Sequence, residues 1–227
     1  MSTIQLIENK KYTEDTAAYL DSRHKLRILT ELYFNAFRTI KSVYIFENFN
    51  EYVSQLNSDK NEDKGKIYWN ASYYEKLIDY VKISIAFETY NKAVLLDKGF
   101  IVHQIKKDSI NAKLFLDQQN GIPIKVEDYL QVAREANDKQ KTGIYLTGFR
   151  ENFPTINYST TLNEKYQEII QLDNELCCRL KEINEKRNRL HFFTDFKGAF
   201  EVRSHIDKWK YIMQTSIQTI EHKHINR

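Results

Sequence analysis

Apolar residues recur at helical spacing along most of the chain. Over about residues 16–52 the stripe is Leu26, Leu29, Leu32, Phe34, Phe37, Ile40, Val43 and Phe46, with Thr13 or Asp15 placed to cap its start. This predicts one long or kinked helix. A second stripe covers about residues 68–98 (Tyr73, Leu77, Tyr80, Val81, Ile83, Phe87, Tyr90, Leu95), and Gly99 follows where a left-handed C-cap is wanted. Ser159, Thr160 and Thr161 offer caps for a third long helix, with Glu164 in its first turn, reaching about Leu190. Its seam is Leu162, Tyr166, Ile169, Asp173, Leu176, Leu180, Ile183, Arg187 and Leu190, in steps of four and three. A last helix over about residues 200–220 carries Val202, Ile206, Trp209, Ile212, Met213, Ile217 and Ile220.

The least regular stretch is 108–154, which holds Gly121, Pro123, Gly143 and Gly148. A short helix near residues 126–137 is expected there, with loops around it. The polar run 57–66 (NSDKNEDKGK) reads as a surface loop. Six Gly and two Pro in 227 residues leave few turns, so the pattern predicts an all-α fold: one domain over 1–227, an antiparallel up-and-down helical bundle.

Composition narrows the function classes. With 34 Lys+Arg against 31 Asp+Glu the formal charge is +3, so any surface for an anionic partner must be local rather than a property of the whole chain. A hydrophobic content of 41% excludes a disordered chain. No run approaches the roughly 18 apolar residues of a membrane helix, and the first 15 residues lack the apolar core of a signal peptide, so a cytoplasmic, membrane-free protein is expected. That location makes the sequons at Asn70 and Asn157 irrelevant. Cys177 and Cys178 are adjacent on a helix and cannot easily bridge each other.

Two charges stand on the inner register of the third helix, Asp173 and Arg187, where solvation alone does not account for them. Arg187 opens the most informative segment, which includes Lys186, Asn188, Arg189 and His191. Arg187 and His191 are four apart, Asn188 and His191 three apart, and a continuing helix puts all three on one face. A guanidinium can hold phosphate through a bidentate fork, and an imidazole exchanges protons near neutral pH. The same residues also suit a plain helix end, where cations favour the dipole and polar side chains satisfy free carbonyls.

Other candidates read more simply. Glu88 and Lys92 are spaced for a surface ion pair; His103 follows a helix end; His222 and His224 make a poor metal pair without a third ligand. His205, on the last helix, is placed by sequence neither near the Arg187 segment nor away from it. Phe192 and Phe193 fit under the last helix or along a cleft for RNA bases. No phosphate-cradling glycine loop, paired-cysteine zinc pattern or nucleophile elbow occurs, and neither metal nor cofactor is expected.

Two stretches resemble the HEPN superfamily of helical proteins. The segment from Arg187 to His191 is similar to that family's Arg-polar-His motif, which lies just before the last helix. The segment from Phe87 to Gly99, followed by Val102 to Ile105, resembles the family's earlier segment of an acidic residue, Lys-Ala, Leu-Leu, Gly and then His. Here three residues separate Arg187 from His191, fewer than the family motif has, and Lys186 stands at the longer spacing. The resemblance covers a core of about residues 67–222 and leaves an additional N-terminal helix and the irregular middle without counterparts.

It implies a bundle that homodimerises with two motifs facing across a cleft, and metal-independent cleavage of RNA by 2′-OH attack. The systems are toxin–antitoxin, abortive-infection, phage-defence and CRISPR-associated ones, with a cognate antitoxin protein as a partner. His191 is then the general acid/base, Arg187 stabilises charge on phosphate, Asn188 orients them, and Lys186 and Arg189 bind RNA. A HEPN-like module that binds RNA, a nucleotide or a protein without cutting, and a helical scaffold, are the alternatives.

Overall fold

The structure is a computed structural model that describes residues 22–58, 73–102, 104–105, 112–129, 131–132, 155–189 and 202–225. The described residues form an all-α protein. Among the described residues, the helices with defined bounds are α1 (Ser22–Lys41), α2 (Tyr44–Glu47), α3 (Phe49–Ser58), α4 (Tyr73–Asp97), α5 (Ala112–Gln119), α6 (Tyr158–Thr161), α7 (Glu164–Ile170), α8 (Asn174–Arg189) and α9 (Val202–Ile225). An isolated antiparallel bridge joins Phe100 and Lys125. Among the described residues no helix is long and apolar enough to cross a membrane.

The chain groups into two compact units, one from residues 1–32 and 91–171 and one from residues 33–90 and 172–227. In the first, one core cluster is Ile101, Ile105, Leu114, Ile124, Val126 and Tyr129, with Phe115 and Val132 against it. The predicted short helix is seen at residues 126–129 and 131–132; the rest of 126–137 lies outside the described residues.

Two glycines shape this unit. Gly99, at φ 83°, follows α4, with Phe100 N–H donating to Leu95 O and Gly99 N–H to Leu96 O, the pair of bonds of a Schellman stop. Gly121, at φ 70°, ends α5 the same way through Ile122 N–H to Asp117 O and Gly121 N–H to Gln118 O. Each turn sends the chain straight back into the core. The buried amide of Gln118 accepts from Ile105 N–H at 2.7 Å, and Asn91 Nδ2 donates to Thr161 Oγ1 at 3.0 Å, each an internal partner for a buried side chain.

In the second unit the first helix, expected to be long or kinked, is broken after Lys41. α1 stops at Lys41, Ser42 Oγ bonds back to Thr39 O, and Val43 is extended at φ −70°, ψ 118° before α2 begins. The cause is Asp79. This fully buried carboxylate on α4 accepts Tyr44 N–H at 2.8 Å and Ile45 N–H at 2.9 Å, satisfying two free donors at the start of α2. Continuing α1 through this point would bind those amides within the helix and leave a buried charge bare. Lys82 of α4 donates to Ser42 O across the same break.

The third predicted helix is likewise divided, into α6, α7 and α8. Gln171 adopts a left-handed φ of 62° and ends α7. Asp173 is therefore not a seam residue: it is exposed, and its Oδ1 accepts Leu176 N–H at 3.0 Å as the N-cap of α8 and also takes the Tyr211 hydroxyl. Those two bonds, Tyr211 first, hold the Asp173 carboxyl below the usual range. From Leu176 onward the expected stripe is real, since Leu176, Leu180 and Ile183 are all buried. α8 packs on α9 and α9 on α3, around Trp209, which stacks on Tyr80 with ring centroids 5.6 Å apart. Of the predicted loop 57–66, residues 57 and 58 finish α3 and the rest lie outside the described residues.

Candidate functional site

The last turns of α8 carry Lys186, Arg187 and Asn188. Leu176, Leu180 and Ile183 bring one face of the helix into the core, and the same register brings Arg187 to its margin, its side chain 29% exposed. There the guanidinium meets Glu88 of α4, with Nη1 to Oε2 at 3.8 Å. That distance lies beyond hydrogen-bond reach, so the contact is charge attraction rather than a fork on the carboxylate. Such a pair is worth about 0.2–1 kcal/mol. The two carriers of the family resemblance thus touch through Arg187 and Glu88.

Asn188 is exposed, and α8 extends through Arg189, whose side chain, with His191, Phe192, Phe193 and His103, lies outside the described residues. The shared face of Arg187, Asn188 and His191 therefore has helical backbone under its first two members. Glu88 and Lys92, expected as a surface pair, reach further partners: Glu88 meets Arg187, and Lys92 donates to Thr155 Oγ1 at 2.7 Å. His222 is exposed near the end of α9. Among the described residues no group of three or more His, Cys, Asp or Glu is placed to hold a metal, and both cysteines are free thiols. Burial raises the Cys177 thiol, which makes it a poorer nucleophile.

Beside Lys186 lies a cleft of about 20 Å³, lined by Tyr80, Glu182, Lys186, His205, Lys208, Trp209 and two isoleucines. It is room for one water. The Lys186 ammonium stands 5.6 Å from the Tyr80 ring centroid, in cation–π range. Lys208 donates to Glu182, while Arg179 reaches the other oxygen of that carboxylate at 3.3 Å and Glu175 at 3.3 Å. Burial pushes the Glu182 carboxyl up, but the Lys208 hydrogen bond and the charges of Lys208, Arg179 and Lys186 outweigh it, and the group stays below the usual range. Burial, with the charges of Asp79 and Glu182, keeps the Tyr80 hydroxyl protonated well above its ordinary range.

His205 sits within a chain of rings. Trp209 Nε1 donates to its Nε2 at 3.2 Å, and the Tyr52 hydroxyl lies 2.7 Å from the same nitrogen. An indole N–H can only donate, so Nε2 acts as the acceptor and the neutral ring carries its proton on Nδ1. Sequence left the place of His205 open; the structure puts it on the same cleft as Lys186. Glu182 and Lys208 were not singled out by sequence, although His205, Lys208 and Trp209 share helical spacing three and four apart, the signal that marks them as one face of α9.

No protein-family model, curated protein or solved structure matches this chain.

Proposed function

We propose that the chain is a metal-independent endoribonuclease of a HEPN-like toxin–antitoxin or phage-defence system, working in the cytoplasm as a homodimer. The observation that carries this reading is the meeting of Arg187 and Glu88, because it joins the two sequence stretches on which the resemblance rests. In this reading Arg187 exchanges its loose contact with Glu88 for a bidentate hold on the scissile phosphate, a stronger, charge-assisted pairing. His191 takes the proton of the attacking 2′-OH and returns one to the leaving 5′-oxygen, and Asn188 orients the pair. The phosphorus–oxygen bond to the 5′ side breaks as the 2′-oxygen bonds to phosphorus, leaving a 2′,3′-cyclic phosphate. Lys186 and Arg189 contact the strand, and a cognate antitoxin protein covers the site.

The test is product chemistry. A labelled mixed-sequence RNA is expected to yield fragments ending in 2′,3′-cyclic phosphate, and the same sequence with 2′-deoxyribose throughout is expected to stay whole. Cutting of the deoxy strand, or 3′-hydroxyl ends on RNA fragments, contradicts the mechanism.

A second reading draws on the same contact. Glu88 partly neutralises Arg187, which suits a HEPN-like module that binds RNA or a protein partner without cleaving. It predicts retention of labelled RNA with no shortening over many hours at excess protein.

A further inference from the structure

The cleft beside Lys186 carries more positive charge than its one carboxylate can balance. Lys186 and Lys208 face Glu182, and His205 lines the same space. Glu182 lies in the field of Lys208, Arg179 and Lys186 together, and Arg179 divides its contact with Glu175. Two lysines against one carboxylate leave the lining itself one positive charge in excess, with the buried Asp79 carboxylate behind its Tyr80 wall. Part of the wall is apolar: Trp209 is 2% exposed and stacked on Tyr80, and Ile183 and Ile212 also line the space. Low-dielectric walls around excess positive charge favour an anion over water. The space suits one oxygen atom, with the rest of the group standing outside.

We propose that this cleft between α8 and α9 is a subsite for a backbone phosphate of single-stranded RNA, held by Lys186 and Lys208, with Glu182 as the internal carboxylate that the phosphate displaces from Lys208. The proposal rests on the ribonuclease reading and deepens it. Lys186 and Arg187 are consecutive on α8, so a strand whose scissile phosphate meets Arg187 has a neighbouring phosphate within reach of the cleft. One non-bridging oxygen enters the space of the single water, and Lys208 turns from Glu182 to it.

The two sides of the Glu182–Lys208 pair make opposite predictions, which a merely structural ion pair does not. The probe is a fluorescently labelled RNA 12-mer with 2′-O-methyl groups, which cannot be cut by 2′-OH attack, titrated by anisotropy at several salt concentrations. Lys208→Ala is expected to weaken binding about 3- to 10-fold and to lower the slope of log affinity against log salt by about 0.7, the loss of one phosphate contact. Glu182→Gln is expected to tighten binding by a similar factor, since Lys208 is released and a negative charge removed. Lys208→Arg, which keeps the charge, restores wild-type affinity and shows that the alanine variant is not simply misfolded. Unchanged affinity and slope in Lys208→Ala, or weaker binding in Glu182→Gln, overturns the subsite. Cutting of unmodified RNA alongside that result leaves the ribonuclease reading standing, and Lys208-dependent binding without any cutting does the reverse.

Discussion

Asp79 and Asp173 are both carboxylates at helix starts, and they differ in what surrounds them. Asp79 is wholly buried and holds two amides of another helix. Asp79→Ala leaves those donors bare and is expected to cost about 2 kcal/mol, read as a lower midpoint in urea unfolding. A loss below about 0.5 kcal/mol contradicts the assignment. Asp173 is exposed, and its lowered titration comes first from the Tyr211 hydroxyl and then from Leu176 N–H. A group whose folded value lies below its unfolded value of about 3.9 stabilises the fold above that pH and loses the contribution as pH falls through the folded value. Wild type is therefore expected to lose more stability than Tyr211→Phe between roughly pH 4 and pH 2. Parallel losses in urea midpoint across that window contradict it. Neither role was legible in the sequence. Asp173 fell on the inner register because its spacing from Tyr166 and Ile169 is helical, and the left-handed Gln171 that resets the register is a residue type with no strong preference for that geometry. Asp79 has no local signal, since its partners lie 34 and 35 residues away.

Helix ends divide into those with a local cause and those with a distant one. Gly99 was readable as a stop because the left-handed turn it makes suits glycine best, and a Cβ there meets nothing within 4 Å. Gly99→Ala is then a purely conformational change, expected to cost about 1 kcal/mol, and Gly121→Ala nearly the same. Thermal unfolding measures both, and an unchanged or raised midpoint contradicts the turn geometry. The break between α1 and α2 was not readable, because periodicity continues through it as Ile40, Val43 and Phe46 are all buried. The stripe of α8 was readable from Leu176 to Ile183, and so was its charged continuation at Arg187. The partner of that charge, Glu88, was placed by sequence in a different pair. A double-mutant cycle on Glu88→Ala and Arg187→Ala is expected to give a coupling in stability below about 1 kcal/mol, in line with the 3.8 Å contact. A coupling above about 2 kcal/mol makes Arg187 a structural cation and removes it from phosphate binding.

At the scale of the molecule, the all-α architecture follows from periodicity and the scarcity of turn residues. The candidate site follows less directly, because the residues that surround it come from α3, α4, α8 and α9 and meet only on folding. The resemblance pointed to Arg187 and His191; the fold adds Glu88 beside the arginine, and Glu182, His205 and Lys208 beside Lys186. In the proposed function, Arg187, held loosely at the edge of a core beside a cleft with two lysines, binds the scissile phosphate. The most direct test of this function is cutting of a labelled mixed-sequence RNA in excess EDTA by wild type, His191→Ala and Arg187→Ala, purified identically. EDTA-resistant cutting by wild type is expected, falling at least 100-fold in each variant. Cutting that persists undiminished in both variants, or that EDTA abolishes in wild type, contradicts it.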